Sequence, residues 1–339
     1  MMRTEILFIF SNRQAIIKPE AASAVASFKA ENQDLLVDQL ITQDPGHLER
    51  AVSDFVKTYP KALIVVAGGD GSLNEAANAI YKSQTQASLC PIPYGTANDF
   101  CKLLYQNFDL NNFLKELKKQ KTILIDLMEL TGDINIIGTG PDNIFAQAGR
   151  KLKQIYTLNV TSLGLDTEIL KSSFQLLAKF PNLAGSAYIW AVLKHFFQPK
   201  LPTLPVSLSF DERERTVDCL LAAFCNGGFY GNGFNPAPNC NLEDGLLNYI
   251  VAPALGHRSF AKLALKYKSG KILEESKVSH GTATKVRVTS PGGQKILANY
   301  DGVLFESSEF QLEMHQQVLP LTLVGDYAQR LISHPNITR

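Results

Sequence analysis

Val65-Val66-Ala67-Gly68-Gly69-Asp70-Gly71-Ser72-Leu73-Asn74-Glu75 is the stretch that decides the fold. A short apolar run rich in valine ends in glycines and opens onto helix-forming residues. It reads as a buried strand turning sharply into a helix. Glycine lets the backbone approach a phosphate and aim its N–H groups at it, and a helix start adds the positive end of its dipole. Asp70 has no obvious role beside a phosphate unless a cation lies between them, so it reads as a Mg²⁺-facing carboxylate. The plainer alternative is a tight strand-to-helix turn with Ser72 as its N-cap.

The same rhythm extends outward in both directions. Glu5–Phe10 is a predicted buried strand, Pro19–Ala30 a helix and Leu35–Thr42 a strand. His47–Thr58 has helical spacing at Leu48, Val52, Phe55 and Val56, and Ala62–Ala67 is the strand entering the glycine turn. Leu73–Tyr81 (helix), Leu89–Pro91 (strand), Ala97–Tyr105 (helix) and Thr122–Leu130 (strand) follow. Strands alternating with helices predict a parallel sheet covered on both faces. Near residue 130 the character changes. Val206, Leu208 and Phe210 alternate, Val217–Cys225 is a further strand, and Phe310, Leu312 and Met314 alternate before the apolar run Val318–Val324. Thr284–Thr289 and Gln294–Asn299, flanking Pro291-Gly292-Gly293, are a predicted hairpin. The expected class is therefore α/β plus all-β: a parallel-sheet α/β domain followed by an antiparallel β-sandwich with helical insertions.

A second turn repeats the chemistry of the first. Pro93-Tyr94-Gly95-Thr96-Ala97-Asn98-Asp99-Phe100 also sits at a strand end. In an open parallel sheet such ends gather at one crevice, where ligands bind. Thr96 and Asn98 can hydrogen-bond phosphate or ribose, and Asp99 can join a cation shell. The competing reading is N-capping by Thr96 or Asn98.

Bulk composition narrows the partners. Of 339 residues 45% are hydrophobic, enough for packed cores. Lys+Arg is 33 and Asp+Glu 32, a net charge of +1, which gives no long-range pull on nucleic acid. The five cysteines form no Cys-x-x-Cys, so neither a disulfide framework nor a zinc site is expected, and a reducing cytoplasm fits. No run reaches the roughly 18 apolar residues of a membrane span, and the start lacks a signal-peptide cleavage pattern. Tyr188–Phe197 reads as an amphipathic helix, packing in the core or lining an acyl-chain pocket. His257–Lys277 is basic and amphipathic, suited to a solvated surface or to anionic lipid.

Taken in order, these pieces resemble the catalytic-domain signature of diacylglycerol kinases, sphingosine kinases and their bacterial lipid-kinase relatives. Gly68–Ser72 with Asn74-Glu75, and Gly95–Phe100, carry the resemblance. Thr42 with His47, Ile125-Asp126-Leu127, Asn159-x-x-Ser162-x-Gly164-x-Asp166, Asn226-Gly227-Gly228, Asp244-Gly245-Leu246 and Asp301-Gly302 continue it across residues 5–324. It implies a nucleotide-binding domain at 1–130, a lipid-substrate domain at 131–324, and a tail, 325–339, packing back on the first. It further implies that ATP meets Gly68, Gly69, Gly71, Ser72, Glu75, Gly95, Thr96, Asn98 and Asn12. Asp70, Asp99 and Asp126 would form an acidic network holding Mg²⁺, partly through water. A second, structural metal would sit on Asp244 with the carbonyls of Asn241 and Leu246, where the residues alone allow a plain β-turn. Asp301, helped by Asp70, would be catalytic, and the partner a lipid at the inner membrane face, reached by transient surface contact. A homodimer is compatible with this reading.

Two departures stand out. The family's Asn-Pro after the first strand reads Asn12-Arg13, without its glycine loop, and its Asp-Gly-Glu reads Asp301-Gly302-Val303. Valine neither takes a proton nor accepts a hydrogen bond. On an extended segment Glu306 would lie on the face opposite 301 and 303. The alternative reading is thus an impaired protein that binds nucleotide or lipid without turnover. An NAD kinase shares the Gly-Gly-Asp-Gly turn, but the Gly95–Phe100 segment and Asp301-Gly302 favour the lipid branch.

Overall fold

The computed structural model describes residues 2–11, 18–44, 46–139 and 148–325. Strand β1 (Glu5–Phe10) is buried over Ile6–Phe10 because it lies between β2 (Leu36–Ile41) and β3 (Leu63–Gly68), both parallel to it. β4 (Ser88–Pro93) extends the parallel set beyond β3. α1 (Pro19–Glu31) starts on a proline and buries Ala21, Val25 and Phe28. α2 (His47–Thr58) buries Leu48, Val52 and Val56 at helical spacing, and α3 (Asp70–Ser83) follows β3 directly.

The helix expected over 97–105 is a single turn, α4 (Cys101–Leu104). The residues before it form a tight loop instead. Asn98, in the left-handed region at φ 53°, accepts from Gly95 N at 2.6 Å and donates to Gly95 O at 2.8 Å. A side chain that satisfies the backbone of its own loop competes with helix formation. α5 (Leu110–Glu116) is capped by Asp109, which accepts from Asn112 N.

β5 (Gln120–Thr139) runs straight through the boundary expected near 130. Its antiparallel partner, the last described strand β15 (Glu309–Val324), follows it along most of its length, with an irregularity between His315 and Leu319. The end of β15 lies beside β4, with Leu321 opposite Leu89, so Leu319, Leu321, Leu323 and Val324 join the N-terminal core. That return is made by the strand; the tail expected to pack back lies, from residue 326, outside the described residues.

The remaining strands are antiparallel: β6 (Lys151–Thr157), β7 (Val160–Gly164), β8 (Leu204–Phe210), β9 (Arg213–Cys225), β10 (Leu247–Pro253), β11 (Ser279–Ala283), β12 (Lys285–Thr289), β13 (Ile296–Tyr300) and β14 (Val303–Ser307). The ladder runs β15-β12-β8-β9-β7-β13-β14-β5. This corrects the hairpin expected around Pro291-Gly292-Gly293. β12 pairs with β8 and β15, placing Val286 and Val288 against Phe210, Leu208, Leu312 and Phe310, while β13 pairs with β7 and β14. The tight hairpin is β13–β14. Tyr300 faces Val303 across a two-residue loop, Asp301-Gly302, with φ of 43° and 84°. Both signs are those of a type I′ turn, for which Asp-Gly is a preferred pair.

Three further helices, α6 (Leu165–Lys179), α7 (Ala187–Phe196) and α8 (His257–Lys268), cover one side through a core of Leu165, Ile169, Ala191, Phe260, Leu263 and Tyr267. No helix among the described residues is long and apolar enough to cross a membrane. The result is a mixed α/β N-terminal part and an antiparallel β-rich C-terminal part.

Candidate active site

The two glycine turns meet. A Cβ placed on Gly95 would lie 2.2 Å from Gly69 Cα and 2.8 Å from Gly69 N, so the backbones touch where no side chain fits. Asp70 fixes the contact: its carboxylate accepts from Asp99 N at 3.0 Å and Phe100 N at 2.9 Å. Gly69 is the N-cap of α3, so the free amides of the helix's first turn open at this junction. Gly68 supports it from behind, where an added Cβ would meet Ser72 Cβ at 2.8 Å.

A cavity of about 190 Å³ opens on the junction. One end is polar, lined by Gly69, Asp70, Gly71, Ser72, Thr96 and Asp99. The other is apolar, with Leu170, Phe174 and Leu177 of α6 and Ala187 and Tyr188 of α7. Asp166, Asn299, Asp301 and Gly302 also line the cavity.

Each carboxylate has a distinct environment. Burial, and then the charge of Asp99, push Asp70 up to about 7 against the pull of its two backbone donors. Asp99 accepts from Lys102 Nζ at 2.6 Å and from the backbone of Asn232 and Gly233 at 2.9 and 2.8 Å. It therefore clamps a loop of the C-terminal part to the N-terminal turn. Asp301 is 7% exposed. Its Oδ2 accepts from Asn74 Nδ2 and Leu158 N, both at 2.7 Å, and its Oδ1 from Asn159 N and Val160 N, both at 3.0 Å. With four donors its acceptor positions are filled. Asp301 was expected to be the catalytic base; the structure uses it as a hub tying α3, the β6–β7 connection and the β13–β14 turn together.

Other expected site residues separate. Asp126 is fully buried and accepts from Gly245 N and Gln317 N, both at 2.7 Å, which ties it to the Asn241–Leu246 turn rather than to Asp70. In that turn Asp244 accepts from Leu246 N at 2.9 Å and Asn241 from Glu243 N at 3.0 Å, the side-chain geometry of a self-supported turn. Among the described residues no three His, Cys, Asp or Glu side chains converge to hold a metal. The acidic network expected from Asp70, Asp99 and Asp126, joined partly through water, makes its direct hydrogen bonds in two places, Asp70 and Asp99 at the glycine junction and Asp126 at the 241–246 turn. The pair fits one cation, because each Asp70 oxygen accepts a single hydrogen bond and the crowded negative charge is relieved by one.

Glu75, expected at the nucleotide, instead accepts from Glu49 N at 3.1 Å, an amide in the first turn of α2. Burial pushes its carboxyl up to about 7. Asn98 holds its own loop, while Thr96 lines the cavity. Asn12 lies outside the described residues. Val303 packs with Tyr300 and Phe305 in the C-terminal core, because the turn at 301–302 breaks the extended run assumed from sequence. Glu306 pairs on β14 with Leu297 and Asn135.

The sequence reading missed Asn74 as the partner of Asp301, Asn232 and Gly233 as the clamp on Asp99, and Asp166 as a wall of the cavity. The Gly231-Asn232-Gly233 run, with positive φ at all three, was the available signal for the clamp.

Both halves of the chain are similar to known proteins. Residues 7–130 match the diacylglycerol kinase catalytic domain, and residues 160–323 match the YegS C-terminal NAD kinase beta sandwich-like domain. The chain is 26% identical over 254 residues to a "Probable lipid kinase YegS-like" of Pseudomonas syringae pv. syringae (strain B728a), covering 75% of this chain and 73% of that protein. It is 26% identical over 288 residues to a protein of the same description from Xanthomonas campestris pv. campestris (strain 8004), covering 82% and 83%. A crystal structure of a "putative diacylglycerol kinase" from Bacillus anthracis str. Sterne superposes with a TM-score of 0.71 at 19% identity, over 95% of this chain and 98% of that one, a likeness of fold.

Proposed function

Because the chain belongs to the diacylglycerol kinase catalytic-domain family of lipid kinases, we propose that it transfers the γ-phosphoryl group of ATP to a hydroxyl of diacylglycerol or a related lipid, with Mg²⁺. One observation carries this reading. A single cavity joins a glycine-walled helix N-terminus, suited to phosphates, to an apolar wall suited to a hydrocarbon chain. Phosphoryl transfer is governed by positioning and charge neutralisation, and this arrangement supplies positioning from two turns at once. Magnesium bound with the nucleotide would neutralise charge on the transferring group. The chain's own residues do the rest. The amides of Gly71 and Ser72 point donors at the phosphates, and Asp70 holds the second turn by its backbone while offering its remaining lone pairs to the cation. Leu170, Phe174 and Leu177 exclude water from the acceptor side.

The lipid's route is supported by α7. Ala187 and Tyr188 line the cavity, while Ile189, Trp190 and Leu193 of the same helix, and Phe197 just beyond it at 78% exposure, face outward. Such a face suits brief contact with a bilayer surface, with Trp190 at the headgroup level.

The test is label transfer from γ-labelled ATP, with Mg²⁺, to a panel of diacylglycerol, sphingosine, ceramide, phosphatidylglycerol and NAD. Labelled lipid is expected, reduced about 10²-fold or more in Asp70→Asn, on the scale of lost electrostatic stabilisation. Label in NAD alone would move the chain to the nucleotide-kinase branch. ATP binding without any product would favour the non-catalytic alternative prompted by Val303.

A further inference from the structure

We propose that Tyr188, on α7, sets the length of hydrocarbon chain that the site accepts. The inference rests on the kinase reading above and names the part of the lipid that the protein discriminates. Behind the cavity at the glycine junction lies a second one of about 40 Å³, walled by residues of α6, α7, α8 and β9. Its lining is apolar and includes Ile169, Val192, Leu221, Phe260 and Leu263. Such a space offers water no partners and suits methylene groups.

Three residues line both cavities: Asp166, Tyr188 and Tyr230. α6 runs past both as well. Leu170, Phe174 and Leu177 form one stripe of the helix and face the first cavity, while Leu165 and Ile169 form an adjacent stripe and face the second. A hydrocarbon chain that follows α6 from one stripe toward the other meets the three shared residues.

Two of the three are tied in place. The Asp166 carboxylate is hydrogen-bonded by the hydroxyls of Ser162, Tyr230 and Thr167, and the hydroxyls of Tyr230 and Tyr267 lie 3.1 Å apart. Tyr188 is seated by packing. Its ring centroid lies 5.6 Å from that of Phe234, and the ring rests on Gly231. A Cβ at 231 would fall 2.8 Å from Tyr188 Cζ and 2.9 Å from its hydroxyl oxygen, so a larger residue there would push the ring from its place. The partition is thus a fixed polar pair and one aromatic ring, and the bulk of that ring decides where a chain ends.

The experiment uses the lipid that the label-transfer panel identifies, in a series differing only in chain length. It reads kcat/KM at saturating ATP and Mg²⁺ in wild type, Tyr188→Phe, Tyr188→Ala and the double variant Tyr188→Ala/Ala264→Phe. Wild type is expected to gain with each added methylene up to a limit and to gain nothing beyond it. Tyr188→Phe should keep that limit, because the ring is the stop. Tyr188→Ala joins the two cavities and should extend the limit, each further methylene raising kcat/KM about fourfold. Ala264 lines the second cavity and not the first, so phenylalanine there should fill the opened space and return the limit toward the wild-type length. A wild type without a limit, an unchanged limit in Tyr188→Ala, or an extension that Ala264→Phe leaves intact overturns the proposal. If Tyr188→Ala does not fold, Tyr188→Leu takes its place with the same outcomes. Absence of product from wild type overturns the kinase reading alone. The same lengths are then compared by displacement of an NBD-labelled lipid: an affinity limit that Tyr188→Ala extends upholds the role of Tyr188, and one that it leaves unmoved overturns that role too.

Discussion

Asp301→Ala is expected to destabilise the fold by about 3–5 kcal/mol, the range for removing one partner of a buried charged network. The substitution removes the acceptor for Leu158 N, Asn159 N, Val160 N and Asn74 Nδ2 together. Each donor left buried and unpaired costs about 1–3 kcal/mol. Relaxation of the loop and entry of water recover part of the sum, which keeps the expectation below the simple total. Alanine at φ 43° adds strain in the β13–β14 turn. Urea unfolding followed by circular dichroism measures the effect. A loss under about 1 kcal/mol, the value of an ordinary net hydrogen bond, would mean that Asp301 is not the hub described, and its role as base would return. Asp301→Asn should lie between wild type and alanine, since its carbonyl oxygen still accepts while its amide opposes donors at the other position.

Gly95→Ala acts on the site rather than on the core. Its methyl carbon would be built 2.2 Å from Gly69 Cα, so the two turns must separate. The contact is backbone against backbone, and no side-chain rotation relieves it. Separation pulls the loop at 99–100 from Asp70 and opens the phosphate-facing junction. ATP affinity is expected to fall about 100-fold or more, equivalent to roughly 2.7 kcal/mol or more, with the far β-rich part intact by circular dichroism. Isothermal titration with ATP and Mg²⁺ reads the change. Affinity within about threefold of wild type would show that the nucleotide binds elsewhere, whereas Gly138→Ala, where an added Cβ meets nothing within 4 Å, serves as the neutral control.

The N-terminal elements were legible because their signals are local. β1 and α2 carry runs whose periodicity survives in isolation, and both turns announce themselves through glycine at a strand end. What local pattern could not give was pairing between distant strands. Val286 and Val288 on β12 satisfy any apolar partner, and the choice of β8 and β15 over β13 depends on the whole ladder. The site divides in the same way. The meeting of Gly69, Asp70 and Gly95 was legible because both glycine turns end strands of one parallel sheet. The roles of Asp99, Asp126 and Asp301 were not, because a carboxylate that binds a cation and one that collects backbone amides have identical sequence. Their distinction lies in whether a loop such as 231–233 or 244–246 arrives with donors. Glu75 shows the same: its position beside the glycine turn says nothing of Glu49 N at the start of α2, which one of its oxygens meets.

The central claim is that the first turn of α3 and the Gly95 turn together enclose the triphosphate. Hydrogen–deuterium exchange with and without ATP and Mg²⁺ tests it at the backbone. The first-turn amides of α3 have no partner within their helix, so exchange at 69–72 and at 95–97 should slow together on nucleotide addition. Protection of one segment without the other, or protection confined to the β-rich part, would contradict the account.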